Sequence, residues 1–81
     1  MYQAYRKFWR NGKLRYINLF KNGKKHGTSR WYHKNGKLRH IESCKNGILE
    51  GKVYNYDIHG KLNRISLFKN GKKEGIEMSE F

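Results

Sequence analysis

At 81 residues the chain has room for one domain, and with 36% hydrophobic but 15% aromatic residues its apolar contacts must come from a few large flat side chains, not from a deep aliphatic core. It carries 19 Lys and Arg against 6 Asp and Glu, a net charge of +13, with no proline, one cysteine and no apolar run near the roughly 20 residues that cross a bilayer. An internal disulfide framework and a membrane-spanning helix are thereby excluded, and the opening MYQAYRKFWR lacks the apolar core of a signal peptide, so the expected location is intracellular: cytoplasm, or beside a genome in a nucleoid or virion.

In chain order, residues 4–10 and 13–20 read as strands around Asn11-Gly12, rich in aromatic and aliphatic side chains. KNGKKHG (21–27) follows as a connecting loop. Strands at 28–34 and 37–44 flank Asn35-Gly36, and KNGILEG (45–51) connects again. Strands at 52–58 and 61–68 flank His59-Gly60, then KNGKKEG (69–75) leads to a last strand at 75–80. No stretch shows a 3.6-residue apolar period. Asn-Gly is the strongest short hairpin signal because both residues tolerate positive φ. The expectation is a tight two-residue turn inside each strand pair and a longer loop between pairs.

The segments repeat every 24 residues. NGKLRYINLFKNGKKHG, NGKLRHIESCKNGILEG and HGKLNRISLFKNGKKEG align without a gap. Gly12, Gly36 and Gly60 form one column; Leu14, Leu38 and Leu62, Ile17, Ile41 and Ile65, and Phe8, Tyr32 and Tyr56 form others. A fixed period of this size marks stacked supersecondary units. The fold expected is all-β: an antiparallel meander of three stacked hairpin repeats in one elongated, twisted sheet. Residues 1–81 form a single domain, with repeats at 3–26, 27–50 and 51–74 and a C-terminal cap at 75–81.

The run YHKNGKLRHIESCKNGILEG resembles the short variant of the MORN repeat: an aromatic-rich strand, an NGKL turn, a second strand and a KNGKKHG loop. The resemblance covers nearly the whole chain. It departs where a mid-strand glycine is usual, at Asn18, Glu42 and Ser66. It implies a curved β-sheet, frequent self-association and scaffold or surface-binding roles; bacterial antitoxins and proteins of large DNA viruses are among such chains.

Placing Arg10 opposite Lys13 would set Trp9 against Leu14 and Phe8 against Arg15. Alternation then gives one face Trp9, Leu14, Tyr16, Phe20, Trp31, Leu38, Cys44, Leu62 and Phe68. The other receives Phe8, Ile17, Leu19, Tyr32, Ile41, Tyr54, Tyr56, Ile65 and Leu67, interleaved with Arg6, Arg10, Arg15, Arg30, Lys34, Lys37 and Arg39. A sheet apolar on both faces needs cover, and a two-fold dimer supplies it most simply. The basic first strand and the acidic EGIEMSEF end also make head-to-tail association electrostatically favourable.

No catalytic constellation emerges. Asp57 and the glutamates form no carboxylate pair, Cys44 fills the column of Phe20 and Phe68 as a small apolar residue, and His26, His33, His40 and His59 lack zinc-site spacing. No enzyme activity, metal or cofactor is expected. The charge carries the functional reading. Residues 1–41 hold 12 basic side chains and no acid; residues 42–81 hold 7 basic and 6 acidic ones. The candidate nucleic-acid-binding residues are Arg6, Lys7 and Arg15 on the first hairpin, Arg10, Lys13, Lys34 and Lys37 beside the NGKL turns, Lys21, Lys24 and Lys25 in the first loop, and Arg30 and Arg39 on the second hairpin. Regularly spaced cations on a rigid sheet suit a phosphate backbone, double-stranded DNA above all, bridged and compacted by a dimer. A protein-interaction scaffold or antitoxin-type module with an acidic partner, and adsorption to anionic lipid, are the competing readings. An AT-rich coding bias would account for abundant Lys and Asn but not for the acid-free first half.

Overall fold

The computed structural model describes the backbone of residues 1–78 and the side chains through Glu74; the acidic end of the expected cap, 79–81, lies outside the described residues. Nine strands form one antiparallel sheet: β1 (Tyr2–Phe8), β2 (Leu14–Lys21), β3 (Lys24–Lys25), β4 (Gly27–Tyr32), β5 (Leu38–Lys45), β6 (Ile48–Leu49), β7 (Gly51–Tyr56), β8 (Leu62–Lys69) and β9 (Lys72–Met78). The path across the sheet is β1-β2-β4-β5-β7-β8-β9, with β3 a stub on β2 and β6 a stub on β5. It contains no helix among the described residues, and the sheet is open. All seven long segments expected from the sequence are strands, displaced by one to three residues at their ends.

The sheet is one layer thick. Its extents are 38 × 36 × 11 Å, and its radius of gyration of 13.4 Å exceeds the ~12 Å of a compact chain this long. Three units make a plate as broad as it is long; only more units would elongate it, since each hairpin adds roughly 10 Å.

The two kinds of turn exchange the roles expected for them. The two-residue hairpins are Asn22-Gly23, Asn46-Gly47 and Asn70-Gly71, where Asn sits at φ 51°, 52° and 51° and Gly at 80°, 84° and 78°. Both residues are left-handed, as a type I′ turn requires. Lys21 pairs with Lys24, and Phe20 with Lys25, around the first of them. The NGKL turns are three-residue loops instead. Trp9 N–H donates to Lys13 O at 2.8 Å, Gly12 N–H donates to Trp9 O at 2.9 Å, and only Gly12 has positive φ. Asn11 keeps negative φ because its Oδ1 accepts the Lys13 N–H at 2.9 Å.

That longer loop changes the register near the turn. Lys7 pairs with Tyr16 as the sequence reading implies, but Phe8 pairs with Leu14, and Arg15 is left as a bulge. The same bulge recurs at Arg39 and Asn63. The expected pairings of Trp9 with Leu14 and Phe8 with Arg15 are therefore corrected. Leu14, Leu38 and Leu62 move to the face of Ile17, Ile41 and Ile65, which becomes the continuous aliphatic face. Arg15 and Arg39 leave the row of Arg6 and Arg30, and Arg10, Lys34 and Lys37 sit on the turn edge.

The opposite face, that of Tyr5, Tyr16 and Phe20, holds every buried side chain among the described residues: Ser29, Cys44, Val53 and Ser66. Two small residues and a thiol dominate because a single layer shields only what larger neighbours overhang. Ser29 also closes a gap in the ladder between β2 and β4, its Oγ accepting the Leu19 N–H at 3.2 Å.

Both edges are stitched from unit to unit. On the NGKL edge, Trp9 Nε1 donates to Tyr32 O at 3.2 Å, Asn11 Nδ2 to Lys34 O at 2.7 Å and Lys13 Nζ to Asn35 O at 3.1 Å. One unit on, His33, Asn35 and Lys37 bond Tyr56, Ile58 and His59 in the same way. On the other edge, Gly47 N–H donates to Lys25 O and Gly71 N–H to Leu49 O. In the third unit His59 replaces the turn asparagine, and Asp57 Oδ1 accepts from both His59 and Lys61 N–H instead, which lowers the Asp57 pKa.

Alanine in the left-handed position of a type I′ turn costs about 1–2 kcal/mol from backbone strain alone. At Gly23 a Cβ would meet nothing within 4 Å, whereas at Gly71 it would lie 3.2 Å from Ile48 Cγ2. Gly71→Ala is expected to lower the denaturant midpoint more than Gly23→Ala.

Candidate nucleic-acid interface

Ten of the twelve basic residues of the first half are exposed; Lys21 and Lys25 are half-buried. Six are engaged. Lys13 and Lys37 hold turn carbonyls, as above. Arg15 and Lys34 lie over the Trp9 ring at 4.6 and 5.4 Å, clamping it from two units, and Lys21 lies over Tyr2 at 5.2 Å. Lys25 lies over Trp31 at 4.8 Å and pairs with Glu42 at 3.1 Å. Among the described residues, Arg6, Lys7, Arg10, Lys24, Arg30 and Arg39 have no side-chain hydrogen-bond or ion-pair partner. The structure distributes these six over the sheet: Arg6, Lys24 and Arg30 on the aliphatic face, Lys7 on the Tyr5 face, Arg10 on the turn edge and Arg39 in its bulge.

Lys25 belongs to a network at the middle of the Tyr5 face. His40 Nε2 bonds Glu42 Oε1 at 2.9 Å and His40 Nδ1 bonds Asn55 Oδ1 at 2.8 Å, while Trp31 meets the His40 ring edge-on at 4.9 Å. The hydrogen bond with His40, aided by Lys25 and opposed by burial, lowers the Glu42 carboxyl to about 2; the same bond raises His40 above 6.5. Glu42 occupies the column where the resembling repeats have glycine, and here it neutralises the half-buried Lys25. Burial raises the neighbouring Cys44 thiol, consistent with its place as a small apolar residue. A depression of about 450 Å³ opens beside this network, lined by Trp31, Arg39, His40, Asn55, Tyr56 and Asn63. A second, of about 400 Å³, lies on the first unit among Gln3, Tyr5, Tyr16, Asn18, Phe20 and Gly23. The sequence reading treated aromatics as packing columns and missed this second hollow; the signal is that Tyr5 stands where later units have Ser29 and Val53.

The family model for the MORN repeat variant matches residues 4–22 and 25–46, half of the chain. The chain belongs to the MORN repeat family. Membership makes it a repeat module of the kind that binds proteins or membranes. The third unit, beyond the matched residues, repeats the ladder, the bulge and the type I′ turn of the other two. No curated protein and no solved structure matches the chain. Among the described residues no helix is long and apolar enough to cross a membrane.

The network sets a pH window. Glu42, depressed from 4.5, contributes stability above pH 4.5 that fades as pH falls toward 2. His40, raised above 6.5, contributes fully below pH 6.5 and loses it as pH rises through its folded value. Thermal stability from this pair is expected to be greatest between pH 4.5 and 6.5. His40→Gln should abolish the decline on the alkaline side, as melting curves across pH will show.

Proposed function

We propose that this MORN-repeat protein binds nucleic acid non-specifically through the phosphate backbone, with double-stranded DNA as its main ligand, and that it acts as a two-fold dimer bridging two duplexes without catalysing a reaction. The observation that carries the reading is the set of six cations without a partner among the described residues, within an acid-free stretch of 41 residues. A plate 36 Å across spans about one turn of duplex. The absence of a recognition helix among the described residues fits contacts that position the protein without reading sequence.

Charge asymmetry supports the dimer. Tyr54, Tyr56, Leu62, Ile65 and Leu67 form a half-exposed apolar face on the third unit, within residues 42–81, whose net charge is only +1. A two-fold contact there buries the weakly charged half and leaves the two strongly basic halves projecting apart, one for each duplex. Head-to-tail joining of sheet edges is less favourable: with seven strands along the path, β1 and β9 run in the same direction, so the new pair would be parallel.

Neutralising about six phosphates gives log K against log salt a slope of roughly −5. Arg6→Gln/Arg30→Gln should reduce the slope to roughly −4. Ile65→Lys should convert the dimer to a monomer that still retards duplex DNA but no longer joins two duplexes. Gel shifts and sedimentation check both. Adsorption to anionic vesicles or capture of an acidic protein, with no retardation of DNA at low salt, would overturn the reading.

A further inference from the structure

The first unit is where the repeat is least faithful to itself on the Tyr5 face. Positions held by Gly27, Ser29, Glu42 and Cys44 in the second unit are Gln3, Tyr5, Asn18 and Phe20 in the first. In the second unit the corresponding space is crossed by Lys25, Glu42 and His40. In the first it is left open, as the aromatic-walled hollow of about 400 Å³.

Its walls are ordered. Tyr5 and Phe20 meet edge to face at 5.1 Å, and the Tyr5 hydroxyl donates to Gln3 Oε1 at 3.2 Å. Tyr5 nevertheless stays 52% exposed. Asn18 lines the hollow, and its Oδ1, turned away from solvent, is a buried side-chain acceptor without a hydrogen-bond partner among the described residues. Buried acceptors are almost always satisfied, so the Asn18 carboxamide gains by turning toward a donor that enters the hollow. Lys7 lies directly opposite Tyr16 on this same face and has no partner among the described residues.

The occupant must therefore present a flat face to the rings, an N–H to Asn18 and an anionic group to Lys7. Rings and an acceptor alone would suit an ammonium ion, but the surrounding half-chain holds 12 cations and no acid, which repels one. A nucleobase joined to a phosphodiester meets all three conditions. We propose that this hollow takes one unpaired base of a nucleic acid, stacked on Tyr5 with its phosphate at Lys7. The inference rests on the nucleic-acid reading above and adds a preference that backbone contacts cannot supply: for duplexes bearing an unpaired strand over closed ones.

The test compares two ligands of equal charge by fluorescence anisotropy: a short duplex with a thymidine tail, and the same duplex with an abasic tail. The thymidine tail is expected to bind about tenfold more tightly, the scale of one base stacked on an aromatic ring. Tyr5→Leu, its fold checked by circular dichroism, should remove that difference and leave the abasic affinity unchanged. Equal affinities for the two tails in the unaltered protein would overturn the base site while leaving phosphate binding standing. No binding of either ligand would overturn both readings. A difference that survives in Tyr5→Leu would overturn the placement. Stronger competition by tetramethylammonium than by sodium at equal ionic strength would assign the hollow to a cation instead.

Discussion

A sheet one layer thick cannot remove either face from water, so this chain has to be held together along its edges. Each unit passes side-chain donors to the backbone carbonyls of the next: Trp9, Asn11 and Lys13 to the second unit, His33, Asn35 and Lys37 to the third. The opposite edge is closed by turn amides, Gly47 to Lys25 and Gly71 to Leu49. Each bond contributes only about 1 kcal/mol net. Their repetition at a fixed period keeps neighbouring units in one register, on which every other property of the plate depends.

The edge bonds also sort the cations. A lysine whose ammonium holds a turn carbonyl, as Lys13 and Lys37 do, is a structural element first. Those stacked on Trp9 or Tyr2 cover a ring and present only part of their charge outward. The remaining six have no partner among the described residues, and the first acid in the chain, Glu42, is turned to Lys25 and His40 in the middle of one face. The field over the first half is thereby concentrated on groups free to meet an anion. The second half, almost neutral, retains the aliphatic face that a single layer cannot cover. In the proposed reading, one end of the plate meets a polyanion and the other a second copy.

Much of this was legible in the residues. The 24-residue period, the strand positions and the charge asymmetry follow from columns of glycine, leucine and aromatic residues and from the spacing of acids. Turn chemistry was harder. Asn11-Gly12 and Asn22-Gly23 are the same dipeptide, yet Asn22 is left-handed and Asn11 is not. The difference lies in what the carboxamide of Asn11 finds: its own Lys13 amide and a carbonyl 23 residues away. The hollow beside Tyr5 was missed for a related reason. A tyrosine in an aromatic-rich strand reads as packing until its neighbours in the adjacent strand, Asn18 and Phe20, are seen to leave it half uncovered.

The sequence by itself determined that the chain forms stacked β-hairpins with their positive charge gathered at one end. Both are properties of local spacing: turn residues recur at fixed intervals, and net charge needs no coordinates to be counted. Only the tertiary structure decided which side chains share a face and which cations are free. Side chains alternate with a period of two, so the single bulge at Arg15 was enough to carry Leu14 to the opposite face. Whether a lysine faces solvent, a tryptophan or a carbonyl depends on a neighbour one full unit away.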